Sequence, residues 1–119
     1  MHILNKQAII ALNQKLHLPA NGQEQDWDIE LANPGRIDEF FSVFKENKQI
    51  DSEQRYALMA LTLASCEYAL QEGKALNESW EDIKRILTTD PLYKNLLDYW
   101  SLPTNGEVDD TFAITAYLY

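Results

Sequence analysis

The residues that could form a catalytic or metal site are few and widely separated. The chain has one cysteine, Cys66, and two histidines, His2 and His17, and these lie in different predicted elements. Zinc sites need clustered cysteine and histidine ligands. A catalytic cysteine needs a nearby histidine and an electropositive setting, whereas Cys66 stands beside Glu67. The spacing therefore predicts no metal site and favours Cys66 as a small buried hydrophobic residue.

Carboxylates are the most abundant ionisable side chains, but their spacing defines no site for calcium or for acid–base chemistry. The segment 26–30 begins like a calcium-binding loop, yet Leu31 and Ile37 occupy the positions that require glycine and glutamate. Glu78 and Asp82 have i, i+4 spacing, but no base or metal ligand is predicted beside them. We therefore expect solvated acidic faces, no cofactor and no enzymatic activity.

The overall charge limits the classes of partner. Lys and Arg number 10 against 19 Asp and Glu, so the net charge is −9. Only Lys84 and Arg85 are adjacent basic residues, whereas binding to nucleic acids or anionic membranes requires a basic patch. We expect neither partner. An acidic surface instead speeds association with basic proteins, although a need for solubility explains the charge equally well.

The elements that position these side chains are predicted to be helices. The 119 residues are 45% hydrophobic and 24% charged, values typical of one globular domain. Apolar residues recur at helical spacing in five stretches, namely 4–18, 36–47, 51–72, 78–88 and a last one that begins at Asp90-Pro91. We predict an all-α, irregular bundle of about five helices over residues 1–119, with the long helix 51–72 at its centre.

Helix boundaries follow from local signals. Predicted N-caps are Asn5, Asp51, Asn77 and Asp90, and Gly73 is the predicted stop of the central helix. Pro19 is the predicted stop of the first helix.

Two further segments are less regular in sequence. The stretch 19–35 is predicted as a loop in which 27–31 alternates like a strand but is too short to decide. The tail 107–119 begins acidic and becomes apolar, so we expect it to pack back on the bundle. The chain shows neither a secretory leader nor an apolar run near the roughly 20 residues of a membrane span. We expect a cytoplasmic protein.

Tryptophan beside acidic residues indicates a candidate contact surface. Interface hot spots are rich in Trp and Tyr, and Trp27 stands in a predicted loop with acids on both sides. Trp80 and Trp100 are expected to pack into the bundle. A second acidic cluster precedes the apolar end of the tail. The predicted partner-binding residues are Asp26, Trp27, Asp28, Glu30, Glu107, Asp109 and Asp110.

Several segments, taken in order, resemble small bacterial immunity proteins of toxin–immunity systems, including contact-dependent inhibition. They are QEQDWDIELANPGRIDEF, RYALMALTLASCEYAL, a Trp-led amphipathic helix, LLDYWSL and DDTFAITAYLY. The resemblance spans residues 20–119. It implies a cytoplasmic protein that binds one cognate toxin domain, often a basic nuclease, and blocks its active site or substrate groove. The alternative is a helical adaptor or homodimeric scaffold whose apolar tail mediates self-association.

Overall fold

A computed structural model describes residues 5–20, 27–46, 50–76, 78–101 and 113–117. Within these ranges all regular structure is helical, so the predicted all-α fold is confirmed. The α-helices are α1 (Lys6–Lys15), α2 (Trp27–Glu30), α3 (Ile37–Glu46), α4 (Ser52–Gln71), α5 (Ser79–Thr89) and α6 (Lys94–Ser101). The 3-10 helices are Pro34–Arg36, Pro91–Tyr93 and Ala113–Tyr117. Five of the six α-helices in these ranges have eight residues or more, close to the predicted number.

Helix α4 forms the centre of the fold, as its apolar composition predicts. Its residues 57–67 are all buried, and it packs against α1, α2, α3 and the C-terminal 3-10 helix. Small side chains such as Ala57, Ala60 and Ala64 let these neighbours approach closely. Among the described helices, α4 included, none has the length and apolar content required to cross a bilayer.

The amphipathic helix α3 supplies the largest aromatic contribution to the core. Ile37, Phe40, Phe41 and Phe44 lie at i, i+3, i+4 and i+7 and are all buried, as predicted. Burying a side chain of this size contributes about 1.5–3 kcal/mol. Beside this stripe, Asp38, Ser42 and Lys45 are exposed on α3, and they belong to the site described below.

The local start and stop signals work largely as predicted. Asn5, Asp51 and Asp90 each accept a hydrogen bond from a backbone N–H group two or three residues later, at 2.8 to 3.0 Å. Gly73 has a φ of 81°, a left-handed conformation that glycine adopts without strain, and it ends α4. Asn77, the fourth predicted cap, lies outside the described residues.

Helix α1 ends earlier than Pro19 predicts. His17 takes the left-handed position after the helix, with a φ of 51°, although it is not glycine. The N–H group of Leu18 then donates to the carbonyl oxygen of Asn13 at 3.0 Å, the reversal bond of a Schellman cap. Burial of Leu18 accompanies this turn. The helix therefore stops at Lys15, and the proline follows a stop that is already complete.

The segment with strand-like alternation is a short helix. Trp27–Glu30 forms α2 and packs on α4. Trp27 is 2% exposed, and its Nε1 donates to Oδ1 of Asn13 on α1 at 2.7 Å. The alternation of apolar and acidic residues was a poor guide because tertiary packing on α4, which sequence spacing does not report, determines this conformation.

The described part of the tail packs back on the bundle, as predicted. The 3-10 helix Ala113–Tyr117 lies against α4 and α6, and Ile114 is completely buried. Glu67, itself only 4% exposed, accepts hydrogen bonds from the backbone N–H groups of Ala113 at 3.0 Å and Ile114 at 2.8 Å. Gln71 donates to the same carboxylate at 2.7 Å. A buried carboxylate of α4 thus holds the start of the C-terminal helix.

Candidate functional site

The predicted partner-binding residues divide between buried, exposed and undescribed positions. Asp26, Glu107, Asp109 and Asp110 lie outside the described residues. Trp27 and Asp28 are 2% and 3% exposed, so neither offers its side chain to a partner in this conformation. Among the described members of the predicted set, Glu30 alone is exposed. The predicted loop at Trp27 is a short helix, and α2 turns the indole ring into the core.

The chemistry of Cys66 is suppressed by its surroundings. The side chain is buried in α4, as predicted. Burial, with a smaller contribution from the negative charge of Asp38, raises the pKa of the Cys66 thiol to about 12. The thiol is therefore protonated at neutral pH and is a poor nucleophile. Within the described ranges no three His, Cys, Asp or Glu side chains are grouped to hold a metal ion.

A groove between α3 and the start of α5 combines carboxylates with a covered aromatic ring. Its volume is about 640 Å³, in the range of sites that accept a small group. We call it the α3–α5 groove. Its lining residues are Asp38, Phe41, Ser42, Lys45, Leu76, Glu78 and Ser79.

Helical spacing on α3 builds one wall of this groove. Asp38, Ser42 and Lys45 lie at i, i+4 and i+7, so they share a face beside the buried aromatic stripe and next to Phe41. Ser79, the first residue of α5, donates a hydrogen bond from its hydroxyl group to Oδ1 of Asp38 at 3.0 Å. This contact fixes the start of α5 against α3, and it places Glu78 at the rim.

An aromatic ring and a lysine form the floor of the groove. The Nζ atom of Lys45 lies 5.0 Å from the ring centroid of Phe41, within the range of a cation–π contact. Phe41 in turn stacks on Phe44, with ring centroids 5.9 Å apart. Phe41 is 1% exposed although it lines the groove, and Lys45 is one of the side chains that cover it.

Both described arginines on the α3 side of the molecule are held by contacts within the chain. Arg36 donates to the carbonyl oxygen of Leu16 at 2.7 Å and to the carboxylate of Glu39. Arg55 donates to the carbonyl oxygen of Phe44 at 3.1 Å. Both arginines therefore serve the fold as hydrogen-bond donors.

Comparisons of the chain with protein-family models, with curated proteins and with solved structures found no match.

Sequence reasoning missed the groove. It considered Glu78 only as part of a solvated carboxylate pair with Asp82, and it gave no role to Asp38 or Lys45. The usable signal was the i, i+4, i+7 spacing of Asp38, Ser42 and Lys45 along the solvent face of α3. The opposite wall could not be foreseen, because Asp38 and Ser79 are 41 residues apart and only packing brings them together.

Proposed function

We propose that this protein is a cytoplasmic immunity protein that binds and neutralises a cognate protein toxin with a basic surface. It acts by occlusion and is not an enzyme. The observation that carries the proposal is electrostatic. The net charge is −9, so a partner approaches a protein that is negative on balance.

Charge of this kind favours a basic protein over other partners. Complementary charge raises the rate of encounter, and like charge excludes nucleic acids and anionic membranes. A toxin that acts on nucleic acid needs a basic surface to hold its substrate. An acidic inhibitor competes for that surface directly, which is how binding alone neutralises the toxin.

The experiment is rescue of growth. The C-terminal domain encoded by the upstream neighbouring gene is induced alone, then together with this chain. We expect growth arrest that is relieved only when both are expressed. The matched control carries an early stop codon in this reading frame, so that the transcript is made without the protein. Arrest that persists beside stably expressed protein would reject the proposal and favour the adaptor alternative.

A further inference from the structure

We propose that the α3–α5 groove binds one lysine or arginine side chain of a basic protein partner, in the place over Phe41 that Lys45 now takes. The proposal rests on the proposed function only for the choice of a protein as the source of that side chain. It assigns a contact surface built from residues outside the predicted partner-binding set.

Two carboxylates supply the negative charge of the groove. Asp38 and Glu78 line the groove from two different elements, α3 and the residue before α5. Glu78 is exposed and forms no ion pair with any described residue. A cation that enters the groove therefore meets one carboxylate that is already fixed by Ser79 and a second that is open to it. Hydrogen bonds between an ionised donor and a carboxylate are the strongest available in such a site.

The groove also has an apolar lining. It consists of the half-buried Leu76 and of Phe41, which is 1% exposed because side chains such as Lys45 cover it. Lysine and arginine place their methylene stems along apolar surface while the charged end stays near polar groups. A small anion or a purely polar ligand would use the rim and leave the floor without a contact. The apolar lining thus fits the methylene stem of a lysine or arginine, and the carboxylates fit its charged end.

Lys45 occupies the place that we assign to the partner's side chain. Its ammonium group already lies over the Phe41 ring, 5.0 Å from the centroid, and so it demonstrates that the floor accommodates a cation. Lys45 is exposed and has a flexible four-carbon stem, so it can swing into solvent. An incoming arginine, whose planar group also stacks on aromatic rings, would displace it. Lys45 is therefore a competitor, and its removal should strengthen binding.

The test is an NMR titration of the full chain with N-acetyl-arginine amide, beside the neutral, nearly isosteric N-acetyl-citrulline amide. We expect shifts at the amides of Ser42, Leu76 and Ser79 with arginine only. The double variant Asp38→Asn, Glu78→Gln should bind about tenfold more weakly, since it loses both charged acceptors but keeps an oxygen for Ser79. Lys45→Met, which keeps the stem, should bind roughly threefold more tightly.

The matched control is Glu53→Gln, Glu81→Gln. It removes the same two negative charges from exposed positions outside the groove. An equal loss of affinity in this control would overturn the proposal, because binding would then depend on the overall charge of the protein. Equal shifts with citrulline would also overturn it, because binding would then depend on apolar contact alone. Weaker binding by Lys45→Met would also overturn it, since Lys45 would then contact the ligand instead of competing with it.

This titration is independent of the growth assay. Arginine binding in the groove without rescue would leave the groove standing and reject the toxin as partner. Rescue by the double variant, combined with no arginine binding in the wild type, would leave the immunity function standing and reject the groove.

Discussion

Glu67 and Glu78 carry the same side chain in two regions of the molecule that use it differently. Glu67 is 4% exposed and accepts hydrogen bonds from Ala113, Ile114 and Gln71. Glu78 is exposed at the rim of the α3–α5 groove and pairs with no described cation. A buried carboxylate is tolerated only when donors surround it, so Glu67 is committed to the fold, whereas Glu78 is available to a partner.

The same distinction separates segment 26–30 from the groove. Sequence alone makes Trp27 and Asp28 attractive partner residues, because an aromatic ring among acids is typical of an interface. Their burial assigns them to the interior. Two of the acidic residues, Asp28 and Glu67, are buried and therefore do not contribute to the acidic surface.

The largest expected effect is that of replacing the buried residue Trp27. Trp27→Ala should lower the free energy of unfolding by about 3–5 kcal/mol, because it leaves a cavity between α1, α2 and α4. Trp27→Phe keeps most of the buried ring and loses chiefly the hydrogen bond to Asn13, so we expect about 1 kcal/mol. Urea unfolding measures both. A stable Trp27→Ala variant that fails to bind a partner would restore the sequence-based interface assignment.

The next effect compares the two glutamates directly. Glu67→Ala leaves the N–H groups of Ala113 and Ile114 without their acceptor, at an expected cost of about 1–3 kcal/mol. The matched change Glu78→Ala should stay within about 0.5 kcal/mol of the wild type. Hydrogen exchange adds a local readout, since the amides of Ala113 and Ile114 should exchange faster only in the first variant. Similar losses of unfolding free energy in Glu67→Ala and Glu78→Ala would show that the two carboxylates contribute equally to the fold.

A third prediction shows that exposure alone does not make a carboxylate available. Asp51 is exposed, yet it accepts the backbone N–H group of Gln54 at 2.8 Å as the N-cap of α4. Asp51→Ala should cost about 1 kcal/mol, and Asp51→Asn much less because asparagine caps equally well. The control is Glu53→Ala in the same first turn. Thermal unfolding measures the stability of all three variants. An equal loss of stability in Asp51→Asn and Asp51→Ala would contradict the assignment of Asp51 as the N-cap.

Features set by neighbours along the chain were predictable, whereas features set by packing were not. The aromatic stripe of α3, the caps Asp51 and Asp90, and the stop at Gly73 all follow from residues within a few positions of each other. Two of the three groups that donate to Glu67, the N–H groups of Ala113 and Ile114, lie 46 and 47 residues away. No local pattern reports such a contact, since it exists only after α4 and the C-terminal helix have docked.

The groove shows how local and long-range information combine. Its α3 wall is visible as a polar face in the sequence, and the charge of that face can be counted there. The partner wall at Ser79 depends on how α5 packs. Sequence analysis could therefore have proposed Asp38 and Lys45 as surface residues, but it could not have placed Glu78 opposite them.

The smallest expected effect concerns Glu39, an exposed carboxylate that the fold uses weakly. A hydrogen bond from Arg36 holds the pKa of Glu39 below its ordinary value. The pair therefore stabilises the protein above the unfolded-state pKa of about 4.3, and this contribution is lost as the pH falls through the folded-state pKa.

Solvent screens this pair, so Glu39→Gln should cost no more than about 0.5 kcal/mol at pH 7. Its difference from the wild type should shrink as the solution is acidified through the pKa of Glu39, which chemical unfolding at a series of pH values would measure. Glu78→Gln is the control, and it should show no comparable loss at pH 7 because its carboxylate has no described cation beside it. A loss for Glu39→Gln that is constant with pH would mean that shape, and not charge, carries the contact. If these predictions hold, the unfolding free energy lost on replacing Glu67, Asp51, Glu39 or Glu78 ranks these carboxylates by how far the fold depends on them. The carboxylates with the smallest loss are the ones available to a partner.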